Sequence, residues 1–275
     1  MRMYARTALL RTILGAGLAA AALTWGAASA RADEWNKTYA ISGRAQVRVQ
    51  TNDGHVTVYT GDKKEVGVHV ETTGLHISDS EVKVNVRQDG DRIDVDVRVP
   101  NHWCVFCVNV HRGLKIEVHM PREGDLNVAT GDGHVEVDPL SGNMDIHTGD
   151  GHITVRGAKG DIRLRTGDGH IRIDGRFDVL NLKTGDGSIE ARVASGSKMS
   201  GSWTIHTGDG SVDLTLPDGF QADLDAHTND GRISLGFPVT VDGIISKSEV
   251  RGKINGGGGA LTVHTGDGSI RLMRS

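Results

Sequence analysis

Thr148-Gly149-Asp150-Gly151-His152-Ile153-Thr154-Val155, then Asp161-Ile162-Arg163-Leu164-Arg165, then Thr166-Gly167-Asp168-Gly169, is one full period of a repeat. The Thr-Gly-Asp-Gly signature also begins at Thr130, Thr184, Thr207 and Thr265, and as Thr-Asn-Asp-Gly at Thr51 and Thr228. From Thr130 to Thr184 the step is 18 residues each time. A fixed period of this size means one small unit stacked on itself. Within it Ile153 and Val155 are two apart, as are Ile162 and Leu164. That is the spacing of a strand with one buried face. The equivalent pairs in adjacent periods are Val135/Val137 with Met144/Ile146, and Ile171/Ile173 with Leu180/Leu182. The pattern predicts an all-β, parallel β-solenoid with 18-residue coils and two sheets. Right-handed winding is the default for parallel crossovers.

Outside that central run the period changes. Thr207 follows after 23 residues, Thr228 after 21 and Thr265 after 37. This predicts a loop within 236–260, which a solenoid tolerates at its turns. Glu65–Val70, Val82–Arg87, Arg92–Val99 and Lys115–Met120 alternate without the repeat. They predict antiparallel hairpins over 60–121, inserted as a cap on one end of the stack. In the turn, Thr148 shares parity with Ile146, so its methyl should cover the edge of the core. Gly149 and Gly151 would allow positive φ. Asp150 would accept a backbone N–H two residues on, as an Asx-turn.

Residues 1–32 read as a secretory leader. Arg2, Arg6 and Arg11 precede the apolar run 13–22, and Ala30-Arg31-Ala32 is a small-x-small cleavage pattern. Cleavage after Ala32 would leave a single domain over 33–275, exported to the bacterial periplasm, cell surface or medium. No second long apolar segment follows, so the mature chain should not span a membrane. The leader holds four arginines and no acid, so its loss takes the formal charge of −4 four units lower, to −8. An acidic chain is a poor partner for nucleic acid.

The exported N-terminus, the opening 35–49 with Thr51-Asn52-Asp53-Gly54-His55-Val56, the strand ending at Met120-Pro121 with Gly124 after it, and the tandem Thr-Gly-Asp-Gly coils together resemble a bacterial putative-adhesin domain family of unknown function. They are also similar to the head domains of auto-transporter adhesin-like proteins. The resemblance covers most of the mature chain. It implies a right-handed β-helix-like fold at the envelope, with no enzymatic activity and no established ligand.

Four constellations could carry chemistry. Asp132, Asp150, Asp168 and Asp186 should stack about 5 Å apart. They read either as solvated turn residues or as a calcium column, though one Asp per coil leaves calcium short of oxygens. His134, His152 and His170, with His55 before them, form a second column, read as solvated polar residues or as zinc ligands. A cationic row of His147, Arg165, Lys183, His206, His227 and His264 precedes the threonines and would offset the aspartates or touch an anionic glycan. Cys104 and Cys107 read as a short-loop disulfide of an exported protein, with zinc as the alternative. No catalytic constellation and no cofactor motif emerges. The sequence therefore reads as a non-enzymatic scaffold for an envelope glycan or another surface protein. A β-helix enzyme acting on polysaccharide and a calcium- or zinc-dependent binding module are the rival classes.

Overall fold

The computed structural model describes residues 32–78, 80–99 and 113–275. Cys104, Cys107 and leader residues 1–31 lie outside them. The described residues form strands and no helix. In chain order the strands are β1 (Ala32–Ala40), β2 (Ala45–Thr51), β3 (His55–Gly61), β4 (Glu65–Thr73), β5 (Lys83–Asp89), β6 (Arg92–Arg98) and β7 (Gly113–Pro121). There follow β8 (Gly124–Thr130), β9 (Val135–Val137), β10 (Met144–Thr148), β11 (Ile153–Thr166), β12 (Ile171–Asp186), β13 (Ile189–Val193) and β14 (Trp203–Asp209). The last are β15 (Val212–Leu216), β16 (Ala222–Asp230), β17 (Ile233–Leu235), β18 (Thr240–Ile245), β19 (Glu249–Ile254), β20 (Gly259–Asp267) and β21 (Ile270–Arg274).

All belong to one connected hydrogen-bonded network, in which two rows of parallel pairings run side by side. The long strands β11 and β12 pass from one row into the other and join them. In the first row Leu126, Met144, Ile162 and Leu180 are successive partners, each of the last three one 18-residue step beyond its neighbour. In the second row Val56, Val135, Ile153, Ile171, Ile189, Val212 and Ile270 line up across seven strands. All these side chains are buried. Parity explains the pattern: the apolar member of each alternating pair faces inward, and in-register stacking makes it a continuous ladder. Each such residue contributes roughly 1.5–3 kcal/mol on burial. The longer, 23-residue step before Thr207 holds a largely exposed turn over 194–202, after which Trp203 packs edge-on to Phe177 with ring centroids 6.1 Å apart. The Trp203 indole N–H donates to the Asp178 carbonyl at 3.2 Å, which satisfies its one buried donor.

At both ends the stack departs from chain order. The first coil, β2/β3, lies between β6/β7 and β8/β9. The last coil, β20/β21, lies between β14/β15 and β16/β17. Each terminal coil is thus one rung in from the end. The segment expected to form inserted hairpins is only partly antiparallel. β5 pairs antiparallel with β6 and β4 with β7, but β6 and β7 themselves run parallel on β2 and β3. The reason is burial. Val47, Val49, Val56 and Val58 of the first coil would face water on that side without Ile93, Val95, Ile116 and Val118. The segment expected to loop over 236–260 instead contains β18 and β19, with β19 antiparallel to β16. Antiparallel strands therefore finish both rows at the N-terminal end and one row at the C-terminal end, where the other row stops at the three-residue β17, parallel to β21.

Candidate functional site

The turns of successive coils lie on one another so closely that they dictate their own sequence. Gly149 and Gly151 are not in the positive-φ region expected for them. A Cβ on Gly151 would stand 2.0 Å from the Gly133 carbonyl oxygen, and one on Gly169 would stand 2.2 Å from that of Gly151. Close approach, not backbone conformation, requires glycine there. The threonine does more than cover the core. The Thr148 hydroxyl, fully buried, donates toward the carbonyls of Gly131 and Gly133 at 3.1 and 3.0 Å. Thr166 and Thr184 repeat the contact with Gly151 and Gly169, each at 2.9 Å. A hydroxyl thus ties each turn to the one before, where valine would leave those carbonyls short of a donor.

The histidines form a column whose geometry assigns their ring nitrogens. His134 and His152 stack with centroids 4.7 Å apart and planes 4° apart, and His152 and His170 follow at 4.9 Å. His55 extends the column at 5.0 Å from His134. The backbone N–H of His152 donates to Nδ1 of His134 at 3.0 Å. The N–H of His170 donates to Nδ1 of His152, and that of Ser188 to Nδ1 of His170, each at 3.0 Å. This corrects the Asx-turn expectation: the N–H two residues after Asp150 goes to an imidazole one coil back, not to the Asp150 carboxylate. An Nδ1 that accepts is unprotonated, so the neutral ring carries its hydrogen on Nε2. Ligation of a metal through Nε2 would move that hydrogen to Nδ1, against a backbone donor. The column chemistry therefore favours a neutral hydrogen-bonded stack over a zinc site.

Burial, and then the neighbouring rings of His134 and His170, hold the His152 pKa below the ordinary imidazole range. A base whose folded-state pKa is depressed contributes stability above its unfolded pKa, near 6.5, and that stability is lost as pH falls through the folded pKa. The melting temperature is expected to drop between pH 7.5 and 5, and to drop less in His152→Asn. Thermal melts of both proteins across that range check it; parallel curves would refute the role of the column.

Asp132, Asp150, Asp168 and Asp186 are exposed at the turn edge. Among the described residues no three His, Cys, Asp or Glu side chains come together as a metal-sized cluster. The cationic row is contiguous in space: His147, Arg165, Lys183, His206, His264 and His227 are successive partners, with His264 between His206 and His227. Burial first, then Lys183 and His264, lowers the His206 pKa. Ion pairs lie elsewhere on the outer faces, as Arg172–Glu190 at 2.8 Å and Arg271–Asp213 at 3.0 Å. The sequence did reveal both columns by spacing. The roles of Nδ1 and of the threonine hydroxyl were hidden, because their partners are one coil away and not adjacent in the chain.

The sequence matches the Toastrack DUF4097 family model over residues 45–199 and again over 141–273. No curated protein matches it. Among solved structures it is similar to a putative cell adhesion protein from Clostridium sporogenes ATCC 15579, with 12% identity and a TM-score of 0.43 over 89% of this chain and 100% of that one. It is similar to a putative adhesin from Bacteroides fragilis NCTC 9343 at 11% identity and a TM-score of 0.43, over 88% and 97% of the two chains. A putative lipid binding protein from Parabacteroides distasonis ATCC 8503 matches at 12% identity and a TM-score of 0.38, over 86% and 96%.

Proposed function

The chain belongs to the Toastrack DUF4097 family, and on that premise we propose that it is an exported, non-enzymatic interaction scaffold of the bacterial envelope or cell surface. The observation that carries this reading is the form of its outer faces. They are long, regular rows of exposed polar side chains set on in-register strands. The aspartates that recur in every turn stand exposed at an edge, whereas polysaccharide-cleaving chemistry needs two carboxylates held across a substrate.

The finer architecture belongs to the same proposal. The in-register pairings and the default hand of parallel crossovers support two sheets, 18-residue coils and right-handed winding. A likeness to auto-transporter adhesin heads rests on the repeat motif alone and belongs to the proposal. So does the domain division, with a leader over 1–32, a solenoid over 33–275 and a cap within 60–121. Cleavage after Ala32 is consistent with the anchoring of Asp33. Its carbonyl accepts from Thr72 Oγ1 at 3.3 Å, and its carboxylate meets His76 Nδ1 at 3.0 Å and the Ile77 N–H at 3.2 Å. No helix of the described residues is long and apolar enough to cross a membrane. Disulfide formation between Cys104 and Cys107 remains part of the proposal for an exported chain.

The purified protein is expected to bind envelope fractions or arrayed envelope glycans in a saturable way. It should release no new reducing ends from them, and neither calcium, zinc nor chelator should shift its melting temperature by more than a few degrees. Failure to bind any fraction would overturn the scaffold reading. Released reducing ends would support the enzyme, and a large chelator shift the metal-dependent module.

A further inference from the structure

Gly67 is a mid-strand glycine that nothing in the fold asks for. It lies in the middle of β4 with an ordinary extended backbone. A Cβ there would meet only the His119 Cβ at 3.6 Å and Thr38 Oγ1 at 3.9 Å, both comfortable contacts. The turn glycines, by contrast, are forced by approaches near 2 Å. A mid-strand glycine weakens its strand, and one without a backbone reason marks a place where something else approaches.

The surroundings say what. Thr38, Gly67, His119 and Tyr59 are successive partners across β1, β4, β7 and β3, so they share one outward row. The missing side chain opens a slot between Thr38 and His119, whose Cα atoms stand about 10 Å apart at two strand spacings. That gap admits one ring in van der Waals contact with its walls. One wall is aromatic: His119 is exposed and stacks on Tyr59, with centroids 5.0 Å apart and planes 23° apart. The hollow continues to Gly61, where a Cβ would touch nothing, and encloses about 420 Å³. Its rim is polar and carries both signs. Lys63 pairs with Glu65 at 3.2 Å, and Asp62 pairs with Arg122 at 3.1 Å.

We infer that this slot binds a pyranose ring of a glycan, its apolar C–H face on the His119–Tyr59 stack and its hydroxyls on the rim of Thr38, Asp62, Lys63 and Glu65. An aromatic face combined with donors and acceptors at the ring edge suits a sugar. A flat aromatic ligand would leave those rim groups unused. The inference rests on the scaffold reading and supplies its ligand class.

The test titrates the purified protein with methyl β-glycosides of glucose, galactose, N-acetylglucosamine and glucuronic acid, following the ring resonances of His119 and Tyr59 by NMR. At least one glycoside is expected to shift both rings saturably. Gly67→Val should fill the slot and weaken binding about tenfold or more, without lowering the melting temperature. His119→Ala should do the same by removing the stacking face. Thr154→Val, elsewhere on an outer face, should bind like the unmodified protein. Absence of shifts with all four glycosides, or undiminished binding by Gly67→Val and His119→Ala, would overturn the slot. So would equal competition by indole. If envelope binding persists in Gly67→Val, the slot falls and the scaffold reading stands. If envelope binding is absent from the unmodified protein, the scaffold reading falls.

Discussion

Deleting residues 259–275 is expected to unfold the C-terminal third of the protein, although in sequence it removes only the last coil. β20 and β21 are not an end cap. They fill the space between β14/β15 and β16/β17. Their Leu261, Val263, Ile270 and Leu272 are fully buried. Burial of these four contributes about 6–12 kcal/mol at 1.5–3 each, comparable with the whole stability of a typical domain. Without them Ile205, Val212 and Leu214 face water on one side, and β16 and β17 lose the parallel partners that hold them. Limited proteolysis should then reduce the truncated protein to a fragment ending near Leu216. A protected fragment that still reached Ile254, with an unchanged melting temperature, would mean that β16/β17 can dock directly on β14/β15.

The second large effect is expected from Gly151→Ala. The new methyl would lie 2.0 Å from the Gly133 carbonyl oxygen and 2.8 Å from Thr148 Oγ1. Neither is the free end of a flexible side chain, so two coils must separate locally. That separation also strains the hydroxyl bonds from Thr148 to Gly133 and from Thr166 to Gly151. The cost is expected on the order of 3 kcal/mol, a fall of roughly 6–12 °C for a domain of this size. Gly201→Ala, where a Cβ has nothing within 4 Å, is the control and should be nearly silent. Equal melting temperatures for the two variants would show that the turns are not in mutual contact. The comparison separates glycines that the stack requires from those, such as Gly67, that it does not.

The physical basis of these expectations also explains which parts of the protein were legible from residues alone. The alternation of Ile153 with Val155 and Ile162 with Leu164 is local, and local patterning is what a strand with one buried face imposes. Repetition of that pattern determined that the chain is all-β, and where its central core lies. The spacing of His134, His152 and His170 likewise determined that they form a column. Three things were decided only by contacts between residues distant in the chain. Coil order at the ends follows from which apolar faces need cover, so β20 enters between β14 and β16 regardless of its place in sequence. The demand for glycine at Gly151 comes from a carbonyl one coil away, and a turn read in isolation suggests backbone conformation instead. The N–H of His152 turns to His134, since stacking brings Nδ1 within 3.0 Å, whereas Asp150 lies exposed to water. Local sequence carries the period and the inward parity of each strand. The partner across each gap exists only once the coils are stacked.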